Sequence, residues 1–281
     1  MRNKATRATM ATLLRHARYE VLPTPSTEDK VLAALPTDRT VTVTASPGKG
    51  LESTFALAER LADRGYQVVP HLAARMISGR TELAEICDRL VGQGISTVFV
   101  PGGDADAAGD YPDALSLLED LTQLGSPFAQ VGITGYPESH PTIHDDLTIQ
   151  AMWDKRRHAT HVVSNLSFDP KAITTWLGRM RARGITLPLL LGIPGPIERT
   201  KLLAMATKIG VGESTRFLAK HKGTFARLAA PGGFTGESFL EKCAPALAPP
   251  EALVEGLHVF TFNQIAETEQ WRTRLLAQLE G

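Results

Sequence analysis

From Tyr19 onward, short apolar and β-branched runs alternate with stretches whose apolar residues recur at helical spacing. The runs cover residues 19–22, 40–44, 67–71, 97–100, 129–134, 161–165, 188–193 and 257–262. Amphipathic stretches lie between them at 51–64, 81–91, 112–121, 149–158, 170–183 and 197–208. In the first of these Leu51, Phe55, Ala58 and Leu61 recur at helical spacing, with Glu52, Glu59 and Arg60 elsewhere around the helix. Strand followed by helix, repeated with short connections, predicts a parallel sheet. Eight such units in about 260 residues suit a closed (β/α)8 TIM barrel better than a doubly wound sheet.

The expected organisation is one barrel over residues 19–281 behind an N-terminal extension of residues 1–18. That extension carries Arg2, Lys4, Arg7, Arg15, His16 and Arg18 but no apolar run of the secretory type. It reads as frayed or helical, although a mitochondrial-type transit peptide has the same basic, acid-free composition. Residues 211–251, rich in Gly, Pro and Lys, read as an insertion of extra helix and loop before the last strand. Whether they form a lid is left open.

Thirty basic and thirty acidic residues give a net charge of zero, so no global field favours nucleic acid or an anionic membrane. No apolar run approaches the roughly 20 residues of a membrane span, and a soluble cytoplasmic protein is expected. Cys87 and Cys243 have no metal-type spacing and read as buried thiols. No metal site is expected. The outer helices of a barrel leave a homo-oligomer open.

Active sites of such barrels sit at the carboxyl ends of the strands. Glu20 lies in an otherwise apolar strand, where partial burial would suit a general acid; an exposed edge-strand glutamate is the plain alternative. Asp104 follows Gly102-Gly103 at a strand end, either projecting into the mouth or capping a turn. Ser46-Pro-Gly-Lys-Gly50 lacks the phosphate-loop pattern and reads as a turn. His71 could contact a ligand or be a satisfied core histidine. Gly135-Tyr-Pro-Glu-Ser-His-Pro141 is a rigid loop in which Tyr136 could stack a flat ring or merely cover its own backbone.

Taken together these loops resemble the methylenetetrahydrofolate reductase family from Tyr19 to about Thr268. Glu20-Val-Leu-Pro-Thr-Pro25 is similar to its Glu-Phe-Phe-Pro-Pro opening, Pro70-His-Leu72 to its Pro-His-Leu, and Gly103-Asp104 to the end of its Leu-Arg-Gly-Asp. Gly135-Tyr-Pro-Glu-Ser-His140, the most specific element, Phe168-Asp169, and Gly256-Leu-His258 with Thr261-Phe-Asn263 follow in order. The resemblance implies reduction of 5,10-methylenetetrahydrofolate to 5-methyltetrahydrofolate. Glu20 would be the general acid that opens the imidazolidine ring, and Asp104 would stabilise the resulting cation. Thr44, His71, Gly103, Tyr136, His140, Asn165 and Phe168 would line the substrate and cofactor sites, Asn165 standing where the family has a glutamine.

The family grips FAD with an arginine just before its Gly-Asp pair and a lysine in the helix before the sixth strand. Gly102 and, within a residue, Asp154 stand there, with Lys49, Lys155 or Arg156 as possible substitutes. Asn263-Gln264 and Pro196-Ile-Glu-Arg199 also depart from the family pattern. The expectation is a reductase with weak or no FAD binding, in which NADH (or NADPH) passes hydride directly to the folate. A reductase with a rebuilt flavin site, a tetrahydrofolate-dependent one-carbon transferase and a barrel that binds without turnover are the alternatives.

Overall fold

The computed structural model describes residues 4–103, 105–106, 109–140, 143–196 and 235–281. Eight parallel strands, β1 (Ala17–Val21), β2 (Thr40–Val43), β3 (Gln67–Pro70), β4 (Thr97–Val100), β5 (Gln130–Gly135), β6 (His161–Ser164), β7 (Leu189–Pro194) and β8 (Val254–Phe260), form one sheet. Its order is β3-β2-β1-β8-β7-β6-β5-β4, so the first strand pairs with the last and the sheet curls into a (β/α)8 barrel. The seam between β3 and β4 has one ladder bridge, His71 to Phe99, followed by hydrogen bonds from Ala74 N to Pro101 O and Arg75 N to Gly102 O, each 3.0 Å.

Strand side chains alternate between two environments. Tyr19, Val21, Val41, Val43, Ile133, Leu191 and Val259 are buried in the large core shared with the helices. The opposite parity makes a separate small cluster of Val69, Phe99, Val163 and Leu190 inside the barrel, with Glu20, Thr42 and His71 on the same inward set. The barrel therefore has a thin apolar interior and polar residues toward the carboxyl end.

The helices are α1 (Lys4–Arg15), α2 (Thr27–Ala34), α3 (Glu52–Asp63), α4 (Arg80–Gly92), α5 (Ala114–Gln123), α6 (Asp145–Lys155), α7 (Pro170–Ala182), α8 (Gly236–Leu247) and α9 (Ile265–Glu280). Capping fixes several starts. Asp113 accepts from the amides of Leu115 and Ser116, and Asp169 accepts from Lys171 N with Pro170 in the first turn. None of these helices is long and apolar enough to cross a membrane.

Of the two readings of the N-terminal extension, the helical one holds for residues 4–15, whereas Ala17 and Arg18, expected to precede the barrel, belong to β1. α1 buries Met10, Leu13 and Leu14 against α8, α9 and β8, and Arg7 Nη2 donates to Leu279 O at 2.8 Å. The eighth strand begins at Val254 rather than 257, because residues 254–256 continue the ladder with β7 past an irregularity at Leu189 and Leu190. The amphipathic stretch at 197–208 and most of the 211–251 insertion lie outside the described residues; 236–247 of that insertion is α8. Cys87 and Cys243 are buried, and burial pushes their thiols up to about 11 and about 12.

Candidate active site

Glu20 leaves β1 on the inward parity, and its side chain is only 15% exposed. The neighbouring β8 places His258, 2% exposed, with Nε2 at 2.8 Å from Glu20 Oε2. The His258 ring is set edge-on to Phe260 at 4.9 Å between centroids. In the Nε2–H tautomer His258 donates to the glutamate carboxylate. The edge-strand alternative for Glu20 is thereby removed: β1 is paired on both sides.

His71, from the end of β3, approaches the same carboxylate at 3.7 Å. Its ring packs against Phe99 at 4.7 Å, and Nε2 has no hydrogen-bond partner. Burial holds the His71 imidazole down at about 4, against the pull of Glu20, so the ring is neutral at physiological pH. A satisfied core histidine would not leave that nitrogen unpaired. Deeper in the interior Arg18 Nη1 lies 3.3 Å from His161 Nε2, and burial with the Arg18 charge lowers His161 to about 3.

Thr44 at the end of β2 and Thr134 near the end of β5 each have a buried hydroxyl with no partner. With His71 Nε2, three unsatisfied polar atoms come from three strand ends on the rim that also bears Glu20. Buried polar atoms are nearly always paired within a protein, so such a set makes this rim the candidate site for a polar ligand.

The loop after β5 sets Tyr136 edge-on to His140, with ring centroids 4.9 Å apart. Glu138 from the same loop accepts from the backbone amides of Phe168 and Asp169, the second at 2.7 Å. It ties the loops after β5 and β6 together. Asn165 Oδ1 accepts from Leu166 N at 2.8 Å, and its backbone N–H bonds Gly135 O at 2.7 Å. Gly103 has φ +86, a conformation suited to glycine, and lies against Ala73. Asp104 lies outside the described residues. His258 and Glu138 stand within motifs quoted from the sequence but, like Thr134, were given no role in the site there. Reading the inward parity of β8 beside β1 would have found His258.

A resident FAD would need partners for its diphosphate. Position 102 is glycine, and Asp154, on the exposed side of α6, accepts from Gln150 Nε2 at 2.9 Å. Lys49 Nζ is spent on Pro23 O at 2.8 Å, and the Arg156 guanidinium stacks 3.4 Å over the Trp153 ring. Lys155 is held beside Asp113 and Asp154, its ammonium lowered by burial. These residues do not fit the FAD diphosphate at those positions. Among the described residues no group of His, Cys, Asp and Glu side chains could hold a metal ion.

Comparison with known proteins supplies the family. A crystal structure of "a putative lyase/mutase from Burkholderia cenocepacia J2315" matches at TM-score 0.50 and 14% identity, over 99% of this chain and 87% of that one. At that identity the likeness shows the fold alone. The sequence model of methylenetetrahydrofolate reductase matches residues 26–272. Glu20 precedes that span, so its place in the site rests on the geometry. By a match over most of its length, the chain belongs to the methylenetetrahydrofolate reductase family, a family of folate-linked oxidoreductases of one-carbon metabolism.

Proposed function

We propose that this protein reduces 5,10-methylenetetrahydrofolate to 5-methyltetrahydrofolate with hydride taken directly from NADH, without resident flavin, in the cytoplasm. The observation that carries the reading is the Glu20 carboxyl held at the barrel mouth by His258 at 2.8 Å beside unpartnered His71, Thr44 and Thr134 atoms.

Glu20, protonated, gives its proton to the departing ring nitrogen of the folate, and the imidazolidine ring opens to a 5-iminium cation. NADH then delivers hydride to the iminium carbon, leaving NAD+ and the 5-methyl product. One proton and one hydride are consumed, so charge and electrons balance. His258 keeps the carboxyl aimed during the transfer. His71 remains neutral, so it adds no positive charge to a site in which a cation develops. Thr44 and Thr134 supply hydroxyls for the polar edge of the pterin, Tyr136 a face for a flat ring, and Asn165 an amide. Hydride transfer needs donor and acceptor held in contact, and the rigid strand ends provide that alignment.

The test is an absorbance spectrum of the purified protein from 300 to 500 nm, followed by NADH oxidation with and without 5,10-methylenetetrahydrofolate. Folate-dependent oxidation without flavin bands is expected. A stoichiometric flavin overturns the direct transfer, and absence of folate-dependent oxidation overturns the reductase assignment.

A further inference from the structure

Each turnover of the proposed reaction leaves a proton on the product nitrogen, so the acid has to be recharged before the next. The Glu20 carboxyl is unevenly engaged. Its Oε2 lies 2.8 Å from His258 Nε2, and no hydrogen bond reaches Oε1 among the described residues. His71 Nε2 approaches the same Oε2 only to 3.7 Å, and burial keeps that ring neutral, at about 4. Of the two imidazoles beside the acid, His258 is the one in hydrogen-bond contact and so the one placed to exchange a proton with it.

The other groups around the His258 ring do not compete for that proton. Arg18, its register partner on β1, is turned onto His161 Nε2 at 3.3 Å, with Glu255 opposing its charge. His161 on β6 is neutral, at about 3. On the other side β7 presents Gly192, which has no side chain. No hydrogen bond or ion pair joins His258 to any of these among the described residues, and the ring is 2% exposed. A carboxylate at hydrogen-bond distance favours the charged form of an imidazole. An imidazole also takes up its second proton near neutrality, where a lone carboxyl has already lost its own.

We propose that His258 is the proton reserve of the general acid, holding between turnovers the proton that Glu20 delivers to the substrate. The inference rests on the reductase reading for the identity of the proton acceptor. The N–H bond at Nε2 breaks as an O–H bond forms at Oε2, and a half-turn of the carboxyl carries that proton to the side on which Oε1 is free. The O–H bond then breaks as the N–H bond of the opened folate ring forms. No electrons change hands in these steps. His258 is left as the neutral Nδ1–H tautomer, and water restores its second proton, through the carboxyl, once the product has gone. His258 thus acts through Glu20 and never touches the substrate.

The test is the pH profile of folate-dependent NADH oxidation in wild type and His258→Gln, whose amide still donates to Oε2 but cannot carry a proton. The alkaline limb of kcat should move down in His258→Gln by up to about two pH units, the gap between an ordinary imidazole and an ordinary carboxyl. At pH 7.5 the variant should therefore be about tenfold or more slower, the deficit shrinking toward pH 5, with the KM for both substrates held. An unchanged profile, or an equal loss at every pH, overturns the proposal and leaves His258 a purely structural support. A second measurement needs no turnover and no substitution at His258. In histidine 15N spectra at pH 6, both ring nitrogens of His258 should carry protons in wild type, and the second proton should be depleted in Glu20→Gln. The same protonation in both proteins, or a singly protonated ring in wild type, overturns the proposal. If the spectra behave as expected but no folate-dependent oxidation is seen, the reductase reading fails and the shared proton stands. If wild type turns over and the spectra do not, the reserve fails and the reading stands.

Discussion

His258 Nε2 lies 2.8 Å from Glu20 Oε2, across the ladder that joins the last strand of the barrel to the first. The contact spans 238 residues of sequence and exists only because β8 closes onto β1. The acid and its support thus come from opposite ends of the chain, and barrel closure itself assembles them.

Replacing Glu20 by Gln keeps an oxygen that can accept from His258 but removes the transferable proton. Turnover should fall by about 10²- to 10⁴-fold, the usual worth of a general acid. Folate binding measured by calorimetry and the thermal midpoint should stay near wild type. Retained turnover would remove Glu20 from the proton-transfer role.

Stability should fall on mild acidification because two imidazoles are buried neutral. His71 and His161 are held at about 4 and about 3, both below the ordinary 6.5, burial being the main cause. Between those values and 6.5 the unfolded chain binds protons that the folded one refuses, so unfolding becomes easier as pH drops. Each group adds a slope approaching about 1.4 kcal/mol per pH unit in its window. Urea midpoints at pH 7.5, 6 and 5 should decline in order, and His161→Gln should flatten the decline.

At Gly192 on β7 an added methyl would come within 2.1 Å of Ser164 O and 2.8 Å of Asn165 O. Both contacts are backbone, so the β6 end must shift to admit it. Gly192→Ala should destabilise the fold by about 1–3 kcal/mol and raise the KM for folate by displacing Asn165. A wild-type urea midpoint would contradict the tight packing.

Glu138 accepts two backbone amides from the loop after β6. Glu138→Ala strips both of their acceptor and should cost about 1–3 kcal/mol. Amide hydrogen exchange at Phe168 and Asp169 should quicken selectively. Unchanged protection would show that the loop is fixed by other contacts.

The barrel was legible in the sequence because strand and helix periods alternate cleanly, and Glu20 was legible because it interrupts an apolar strand. The start of β8 was not, since Glu255 and Gly256 look like loop and are ordered only by the register with β7. Arg18 and His161 read as unrelated residues of an extension and a strand, and they meet through barrel closure alone. Glu138 was visible within the Tyr-Pro-Glu-Ser-His element, yet nothing local tells a ligand-binding carboxylate from one that serves backbone amides.

Between β3 and β4 the ladder has one bridge, His71 to Phe99, continued by Ala74 N to Pro101 O and Arg75 N to Gly102 O, and the His71 ring also faces Glu20. In a cooper's terms this stave is pinned at the rim of the cask rather than along its length. The residue that closes the wall there is thus one that also faces the acid, so a substitution at His71 would be felt by both.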